Sequence, residues 1–121
     1  MKNIYSDTSR AKNVGEGTRI GAGCDIGKDV EIGRGCNIQA GVFLSNGVKI
    51  GDGCFIGPGV HVLNDKYMNG VITPPTIGSL VRIGGDTTIN PGVTVGDNAF
   101  IASKSLINKD VPPGAVVRGT W

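Results

Sequence analysis

A six-residue repeat runs through most of the chain and limits what the chain can fold into. Aliphatic side chains recur at every sixth position in two stretches, namely Val14, Ile20, Ile26, Ile32, Ile38, Leu44, Ile50, Ile56 and Val62, and then Ile77, Ile83, Ile89, Val95, Ile101 and Ile107. A second small or apolar residue lies two positions before most of them, as Cys36 does before Ile38. Alternation over two residues is typical of a β-strand, whereas a period of six fits neither a helix nor one long strand.

Glycines in the repeat predict a tight turn after each short strand. The chain has 21 of them, far above the usual share of about 7%. Most positions that follow an aliphatic residue are small, as at Gly21 and Gly27, where bulk would not fit and a turn needs backbone freedom. Three strand-and-turn units form a triangular coil, so the predicted fold class is all-β, a parallel β-helix of hexapeptide repeats. We expect a single domain over residues 1–121.

Residues one coil apart should stack in three columns. The first column contains Val14, Ile32, Ile50, Ile77 and Val95; the second contains Ile20, Ile38, Ile56, Ile83 and Ile101; the third contains Ile26, Leu44, Val62, Ile89 and Ile107. Five members in each column predict about five coils, and a height of roughly 24 Å at the usual strand spacing. Cys36 and Cys54 then stack on one face, which suits packing better than a disulfide.

One interruption breaks the rhythm. Residues 63–75, with the sequence LNDKYMNGVITPP, insert nine extra residues into the repeat. The columns stay in register only if residues 63–76 form a loop that leaves one corner between Val62 and Ile77. A chain this regular has no folding reason to interrupt itself, so the loop is the first place to look for chemistry.

The two ends and the flat faces of the predicted helix need covering, because terminal strands have unpaired edges. We expect the first dozen residues to cap one end. The tail after Ile107 contains Pro112, Pro113 and Gly114, which break the repeat, and we expect it to cap or cross the other end. Association of three chains would cover the flat faces and create grooves between subunits, so we expect a homotrimer.

Composition gives no support for several classes of partner. A formal net charge of +2 gives no case for binding nucleic acid or an anionic membrane. No apolar run approaches the ~18 residues of a membrane span, and the start MKNIYSDTSRAK lacks the apolar region of a signal peptide, so we expect a cytoplasmic protein. Three cysteines without CxxC spacing and one histidine offer few metal ligands, and we expect no metal.

Four stretches of the chain carry a resemblance to a known family: residues 54–67 (CFIGPGVHVLNDKY), the return Pro74-Pro75-Thr76, residues 82–105 (RIGGDTTINPGVTVGDNAFIASKS) and residues 109–119 (KDVPPGAVVRG). In these stretches the chain resembles the left-handed β-helix (hexapeptide-repeat) acyltransferases. More narrowly, it is similar to the N-acetyltransferases that act on amino groups of nucleotide-linked sugars, as in surface polysaccharide synthesis. Met68 and Asn69, where relatives often have proline and arginine, depart from the family pattern and bear on which sugar is bound.

The resemblance implies several further properties. It implies left-handed coiling, a homotrimer, and active sites in the clefts between subunits. It also implies that acetyl-CoA lies beside the C-terminal coils and that a dTDP- or UDP-linked amino sugar lies near the loop. The expected function is therefore acetyl-CoA-dependent N-acetylation of that sugar.

Residues of the loop and its root are the candidates for catalysis and substrate binding. Acetyl transfer needs a neutral amine, a polarised thioester carbonyl and alignment of the two. Asn64 is a candidate orienting residue, although an Asn-Asp pair is also typical of a turn. His61 has a pKa range that suits proton transfer, although a surface or interface histidine is an equally good reading. Asp65, Lys66 and Tyr67 are candidate substrate ligands, with a solvated loop charge as the commoner role for Lys66.

Small and basic residues near the C-terminal end are the candidates for binding acetyl-CoA. They are Gly84, Ala102, Ser103, Lys104, Lys109 and Arg118. Small side chains would keep one wall low for the pantetheine arm, and the cations would complement the phosphates of CoA.

Two alternatives remain open from the sequence. An O-acetyltransferase of the same fold, acting on serine or a sugar hydroxyl, would need a histidine base with a carboxylate behind it, and His61 with Asp65 is the available pair. A non-catalytic trimeric scaffold is the other. A carbonic anhydrase of this fold needs three zinc histidines and is excluded by the single histidine.

Overall fold

The computed structural model describes residues 3–121 as a three-sided parallel β-solenoid of about six turns with no helix. Every strand is two residues long. The strands of this part of the chain are β1 (Asn13–Val14), β2 (Arg19–Ile20), β3 (Asp25–Ile26), β4 (Glu31–Ile32), β5 (Asn37–Ile38), β6 (Phe43–Leu44), β7 (Lys49–Ile50), β8 (Phe55–Ile56), β9 (His61–Val62), β10 (Thr76–Ile77), β11 (Arg82–Ile83), β12 (Thr88–Ile89), β13 (Thr94–Val95), β14 (Phe100–Ile101), β15 (Leu106–Ile107) and β16 (Val116–Val117).

The strands form three parallel sheets, one for each side of the solenoid. The first sheet has the order β1-β4-β7-β10-β13, the second β2-β5-β8-β11-β14-β16 and the third β3-β6-β9-β12-β15. Val14 pairs with Ile32 in the first sheet, Ile20 with Ile38 in the second. Ile77 pairs with Ile50 across the loop. The three predicted columns and their register are therefore confirmed.

The core is a stack of branched aliphatic side chains. Each strand turns one aliphatic residue inward, and from Ile20 to Val117 these residues are buried. The second set is buried as well, as at Val30 and Val48. Burying an aliphatic side chain of this size contributes roughly 1.5–3 kcal/mol, so the repeat stabilises the solenoid through many equal contributions and needs few aromatic residues.

Glycine serves two different purposes in the turns. Gly21, which directly follows an inward residue, has no room for a side chain, because an added Cβ would lie 2.7 Å from the backbone nitrogen of Ala40 on the next coil. The left-handed backbone of the same turn falls two residues later, at Gly23 with φ 73°. The sequence predicts both the tight space and the backbone freedom at the first position, and the structure separates them.

The N-terminal end of the solenoid is covered by the chain itself. At the N-terminal end Ile4 forms a bridge with Ile20, and the backbone nitrogen of Asp29 donates to the carbonyl of Arg10 at 3.0 Å. The expected N-terminal cap is thus confirmed for residues 3–12, while residues 1 and 2 lie outside the described part of the chain.

The tail after β15 continues the solenoid instead of ending it. Val111 pairs with Val95 at the first sheet, β16 extends the second sheet, and Thr120 pairs with Leu106 at the third. The prediction that the tail caps or crosses the end, and the count of about five coils, were wrong for one reason. The last turn is shorter than a full coil, so its inward residues fall outside the six-residue register.

The interruption forms a loop, as predicted. β9 ends at Val62 and β10 begins at Thr76, so the loop comprises residues 63–75 and Thr76 belongs to a strand. The backbone nitrogen of Thr73 donates to the carbonyl of Asn64 at 2.7 Å, and that of Gly92 donates to the carbonyl of Thr73 at 2.8 Å. These bonds draw the two ends of the loop together at the corner between the third and first sheets.

Candidate functional site

The corner that carries the loop is the most irregular part of the solenoid surface. We call it the loop corner; the corner between the second and third sheets, formed by residues such as 84–87 and 102–105, we call the far corner. Polar side chains converge at the loop corner from three successive coils, since Asn46, Asn64 and Asn90 all follow strands of the third sheet. The loop divides this corner into an N-terminal groove and a C-terminal groove.

Asn64 fixes the root of the loop to the preceding coil. Its Nδ2 donates to the carbonyl of Asn46 at 3.0 Å, and its own carbonyl accepts from Thr73. Within residues 3–121 its Oδ1 has no hydrogen-bond partner. The turn-forming role and the orienting role proposed from the sequence are therefore compatible, because the anchored amide directs one free acceptor outward.

His61 lies on the outer face of the third sheet, directly before the loop. Its backbone is paired with Phe43 on one side and Thr88 on the other. The imidazole is exposed, and its ring centroid lies 6.2 Å from that of Phe43 at an interplanar angle of 39°. His61 and Asn64 are thus brought to the same corner, and the side chain packed beside the imidazole is an aromatic ring.

Asp65 organises the loop instead of pointing at His61. Its Oδ1 accepts from the backbone nitrogen of Asn69 at 3.1 Å and its Oδ2 accepts from that of Gly70 at 2.8 Å. The turn between them requires a left-handed backbone at Met68, with φ 55°. The pair of His61 and Asp65 considered for a hydroxyl acceptor is joined by no hydrogen bond in residues 3–121.

Each groove lies between the loop and the neighbouring coils. The N-terminal groove is lined by Arg10, Asp25, Phe43, Asn46 and Asn64, and an ion pair of 2.8 Å joins Arg10 to Asp25. The C-terminal groove is lined by Lys66, Tyr67, Pro91, Asn108 and Lys109.

Several of these lining residues were missed from the sequence. The signal was available, because Phe43 lies one coil before His61, Asn46 one coil before Asn64, and Asn108 one coil after Asn90. The three predicted columns contain only inward residues, whereas the side chains that line a surface site point outward.

The six candidates for acetyl-CoA do not form one cluster. Gly84, Ala102, Ser103 and Lys104 lie at the far corner, and Arg118 joins them because the backbone nitrogen of Ala102 donates to the carbonyl of Val117 at 2.9 Å. Lys109 lies in the C-terminal groove of the loop corner, with its Nζ 4.9 Å from the ring centroid of Trp121. Within one chain, Lys109 therefore lies at a different corner from the other five candidates.

The backbone explains why residue 84 is a glycine, and it also sets the conformation of Lys104. An added Cβ at Gly84 would lie 2.4 Å from the backbone nitrogen of Ser103, so the missing side chain is already required by coil packing. Lys104 has a left-handed backbone, with φ 59°, which costs about 1–2 kcal/mol in a residue with a side chain. The same left-handed position recurs every six residues, as at Gly92 and Asn98, so the turn of the repeat accounts for the backbone of Lys104.

The buried thiols are part of the core. Cys36 donates to the carbonyl of Gly51 at 3.1 Å, and Cys54 donates to that of Gly78 at 3.0 Å. The neighbouring Cys36 sulfur, followed by burial, raises the pKa of the Cys54 thiol above its usual range. Among residues 3–121 no three His, Cys, Asp or Glu side chains are grouped so that they could hold a metal ion.

Comparison with known proteins identifies the family. The family described as bacterial transferase hexapeptide (six repeats) matches residues 12–46 and 74–109, and that described as hexapeptide repeat of succinyl-transferase matches residues 47–63. The chain therefore belongs to the bacterial hexapeptide-repeat transferases. In the part of the chain that the structure covers, no helix has the length and apolar character needed to cross a membrane.

Relatives of known sequence include both N- and O-acetyltransferases. The chain is 52% identical over 46 residues to galactoside O-acetyltransferase of Escherichia coli (strain K12), covering 38% of this chain and 23% of that protein. It is 41% identical over 66 residues to 2,3,4,5-tetrahydropyridine-2,6-dicarboxylate N-acetyltransferase of Staphylococcus aureus (strain JH9), covering 50% of this chain and 28% of that protein. The chain thus spans about a quarter of the length of these curated relatives.

Solved structures share the architecture. A hexapeptide-repeat acetyltransferase of Vibrio cholerae, in complex with acetyl-coenzyme A, matches with a TM-score of 0.77 and 30% identity over 88% of this chain and 65% of that one. A variant of GDP-perosamine N-acetyltransferase from Caulobacter crescentus, in complex with CoA and GDP-perosamine, matches with a TM-score of 0.79 over 97% of this chain and 50% of that one. At 24% identity, the second likeness shows the fold alone.

Proposed function

We propose that this protein is an acetyl-CoA-dependent N-acetyltransferase that acts on the amino group of a dTDP- or UDP-linked amino sugar. The acyl donor is supported by the relative from Vibrio cholerae, which is similar over most of this chain and is complexed with acetyl-coenzyme A. The reacting centre in this proposal is the root of the loop, where His61 and Asn64 meet.

The surroundings of His61 favour an amine over a hydroxyl as the acceptor of the acetyl group. A hydroxyl acceptor needs a strong, firmly oriented base, commonly a histidine backed by a carboxylate. The imidazole of His61 lies beside Phe43, and both oxygens of Asp65 accept loop amides instead. A neutral amine is already nucleophilic, so a lone histidine that accepts its proton during attack is sufficient.

The proposed reaction uses groups on this surface. The amine nitrogen attacks the thioester carbonyl, an N–C bond forms, the C–S bond breaks, and the amine proton is delivered through His61 to the departing thiolate of CoA. The outward Oδ1 of Asn64 accepts a hydrogen bond from the amine and so orients its lone pair towards the thioester. At the far corner, Lys104 and Arg118 bind phosphate groups of CoA, because their cations complement the phosphate charge.

We further propose that the solenoid coils to the left and that three copies of it associate. Outward positions of the first sheet are polar, as at Glu31 and Lys49, whereas the second sheet exposes Phe55, Phe100 and Val116. The loop tip also carries exposed apolar side chains, namely Met68, Val71 and Ile72. Exposed apolar groups arranged together are typical of a protein interface, and a neighbouring copy would cover them.

The test of the function is release of free thiol from acetyl-CoA in the presence of dTDP- and UDP-linked amino sugars, with the matching hydroxyl sugars in parallel. We expect turnover with amines, and a loss of about a hundredfold in kcat/KM for His61→Ala, the usual size of a general-base contribution. Asn64→Ala should also reduce kcat, whereas Lys28→Ala, at the same corner two coils away, should not. Absence of turnover with every amine would rule out the proposed reaction.

O-acetylation is the second candidate, because the galactoside relative has the higher identity over its matched segment. Turnover with hydroxyl sugars alone in the same assay would establish it in place of the amine reaction. If amines are acetylated and neither His61→Ala nor Asn64→Ala changes the rate, the proposed reaction is supported but the loop root is not its site.

A further inference from the structure

The C-terminal groove holds a pair of cations and an aromatic ring that the reaction proposed above does not use. Lys66 and Tyr67 extend from the loop on one side, and Lys109 rises from the last full coil on the other. The groove has a volume of about 720 Å³, and the ring of Tyr67 is 73% exposed. It is large enough for a nucleotide.

Both lysines in the groove lack a carboxylate partner. The ion pairs within residues 3–121 join Arg10 to Asp25, Arg34 to Glu16, and Lys49 to Glu31. Lys66 and Lys109 lie instead over aromatic rings, with Lys66 Nζ 5.5 Å from the ring centroid of Tyr67 and Lys109 Nζ 4.9 Å from that of Trp121. A ring beneath an ammonium group holds it by a cation–π interaction and leaves its hydrogen-bond donors free.

The aspartates next to these lysines in the sequence accept hydrogen bonds from backbone amides. Asp65 accepts from two loop amides, and Asp110 Oδ1 accepts from the backbone nitrogen of Thr94 at 2.8 Å. Their charges therefore support the loop and the last turn, and neither forms an ion pair with Lys66 or Lys109 in the described residues.

An amide pair formed by residues of two neighbouring coils also lines the groove. Asn90 Nδ2 donates to Asn108 Oδ1 across neighbouring coils. With that bond made, Asn108 still has its NH₂ group to donate and Asn90 still has its Oδ1 to accept. One donor and one acceptor, a coil apart, are suited to the polar edge of a base or sugar.

We propose that the C-terminal groove binds the nucleoside diphosphate part of a substrate, with the pyrophosphate between Lys66 and Lys109 and the base on the ring of Tyr67. Two cations on opposite walls suit a ligand with two linked phosphates, and an exposed ring offers a stacking surface that any base can use. This inference rests on the proposed function, since both acetyl-CoA and a sugar nucleotide contain a nucleotide joined through a pyrophosphate.

The test is equilibrium binding by calorimetry to the full chain, without any transfer reaction. The probes are UDP, dTDP, ADP and CoA, with pantetheine as the probe that has no nucleotide. We expect Lys66→Ala and Lys109→Ala each to weaken binding of the nucleoside diphosphates about tenfold or more, the size expected for a charge-assisted hydrogen bond. Tyr67→Ala should weaken binding at least fivefold, and Tyr67→Phe should bind as the parent does, because stacking needs only the ring.

Lys28→Ala is the matched control, since it removes an exposed lysine from the same corner outside the groove. Losses confined to UDP and dTDP identify the sugar nucleotide as the source of the ligand, and losses confined to ADP and CoA identify the acyl donor. The proposal is overturned if the parent protein binds none of the four nucleotides, or if the groove variants bind as Lys28→Ala does. Binding without any acetyl transfer would contradict the proposed function and leave the groove assignment standing.

Discussion

At the scale of single residues, the fold depends on backbone space as much as on side chains. Gly21 has no room for a Cβ, whereas Gly41, later in the next coil, needs a left-handed backbone with φ 71° and would place an added Cβ no closer than 3.9 Å to the backbone nitrogen of Gly59. The sequence marks both positions with the same letter. The physical demands differ, so the two glycines should respond differently to the same substitution.

Comparison of Gly21→Ala with Gly41→Ala tests this separation. Gly41→Ala should lower the free energy of unfolding by about 1–2 kcal/mol, the cost of a left-handed backbone in alanine. Gly21→Ala should cost more, because its methyl group would contact backbone at 2.7 Å, and backbone is harder to displace than a side-chain tip. Urea unfolding followed by circular dichroism measures both, and equal losses would contradict the distinction.

The thiols provide a second prediction at this scale. Cys36 and Cys54 are buried and donate to backbone carbonyls, so a reagent in solution does not reach their sulfur atoms in the folded protein. Cys24 is less deeply buried. In the native protein we expect an aromatic disulfide reagent to modify Cys24 first and the other two thiols only as the solenoid unfolds.

Cys24→Ala is the control for that experiment, since it should remove the early phase and leave the late one. Fast modification of two or three thiols in the folded protein would show that the packing at the core is looser than the burial of Cys36 and Cys54 indicates.

At the scale of elements, the loop is stabilised by its own polar bonds more than by apolar burial. Asp65 accepts two loop amides, and Asn69 Oδ1 accepts from the backbone nitrogen of Val71 at 3.1 Å. Beyond Tyr67 the tip exposes its apolar side chains. The loop should therefore be separable from the solenoid in stability, because it contributes little to the buried core.

Asp65→Ala tests this separation directly. We expect amide hydrogen exchange at Asn69 and Gly70 to accelerate at least tenfold, because both would lose their acceptor, while the midpoint of thermal unfolding changes by only a few degrees. Asp65→Asn, which keeps one acceptor oxygen, should accelerate exchange less. Nuclear magnetic resonance measures exchange at single amides, and unchanged exchange in Asp65→Ala would show that packing holds the loop in place.

At the scale of the whole molecule, the solenoid presents one polar outer face and one with exposed apolar groups. A contact between copies through the apolar face should be sensitive to charge. Phe100→Asp together with Val116→Asp should shift sedimentation from three times the chain mass towards the single chain, because a buried unpaired carboxylate is strongly unfavourable. Asn13→Asp, on the polar first sheet, should leave the assembly unchanged, and a parent protein that sediments as a single chain would contradict the proposed trimer.

The sequence alone determined the strands, the three columns and the corner from which the loop leaves, because a fixed six-residue period converts spacing directly into position. The same spacing would also have located Asn46, Phe43 and Asn108, had it been applied to outward residues. The repeat does not show at which corner a charged side chain lies. Lys109 and Lys104 were assigned to one ligand because both are cations near the C-terminal end, although they lie at different corners of the chain.

Tertiary structure alone decided where the period fails and which polar groups are already occupied. The last turn closes with sixteen residues between Val95 and Val111 instead of eighteen, so the tail joins the sheets in a register that the repeat does not contain. The engagement of Asp65 with loop amides, and of Lys66 and Lys109 with aromatic rings, depends on the folded backbone of an irregular loop. A periodic pattern specifies only the part of the chain that obeys it, and the candidate site is built where the pattern is broken.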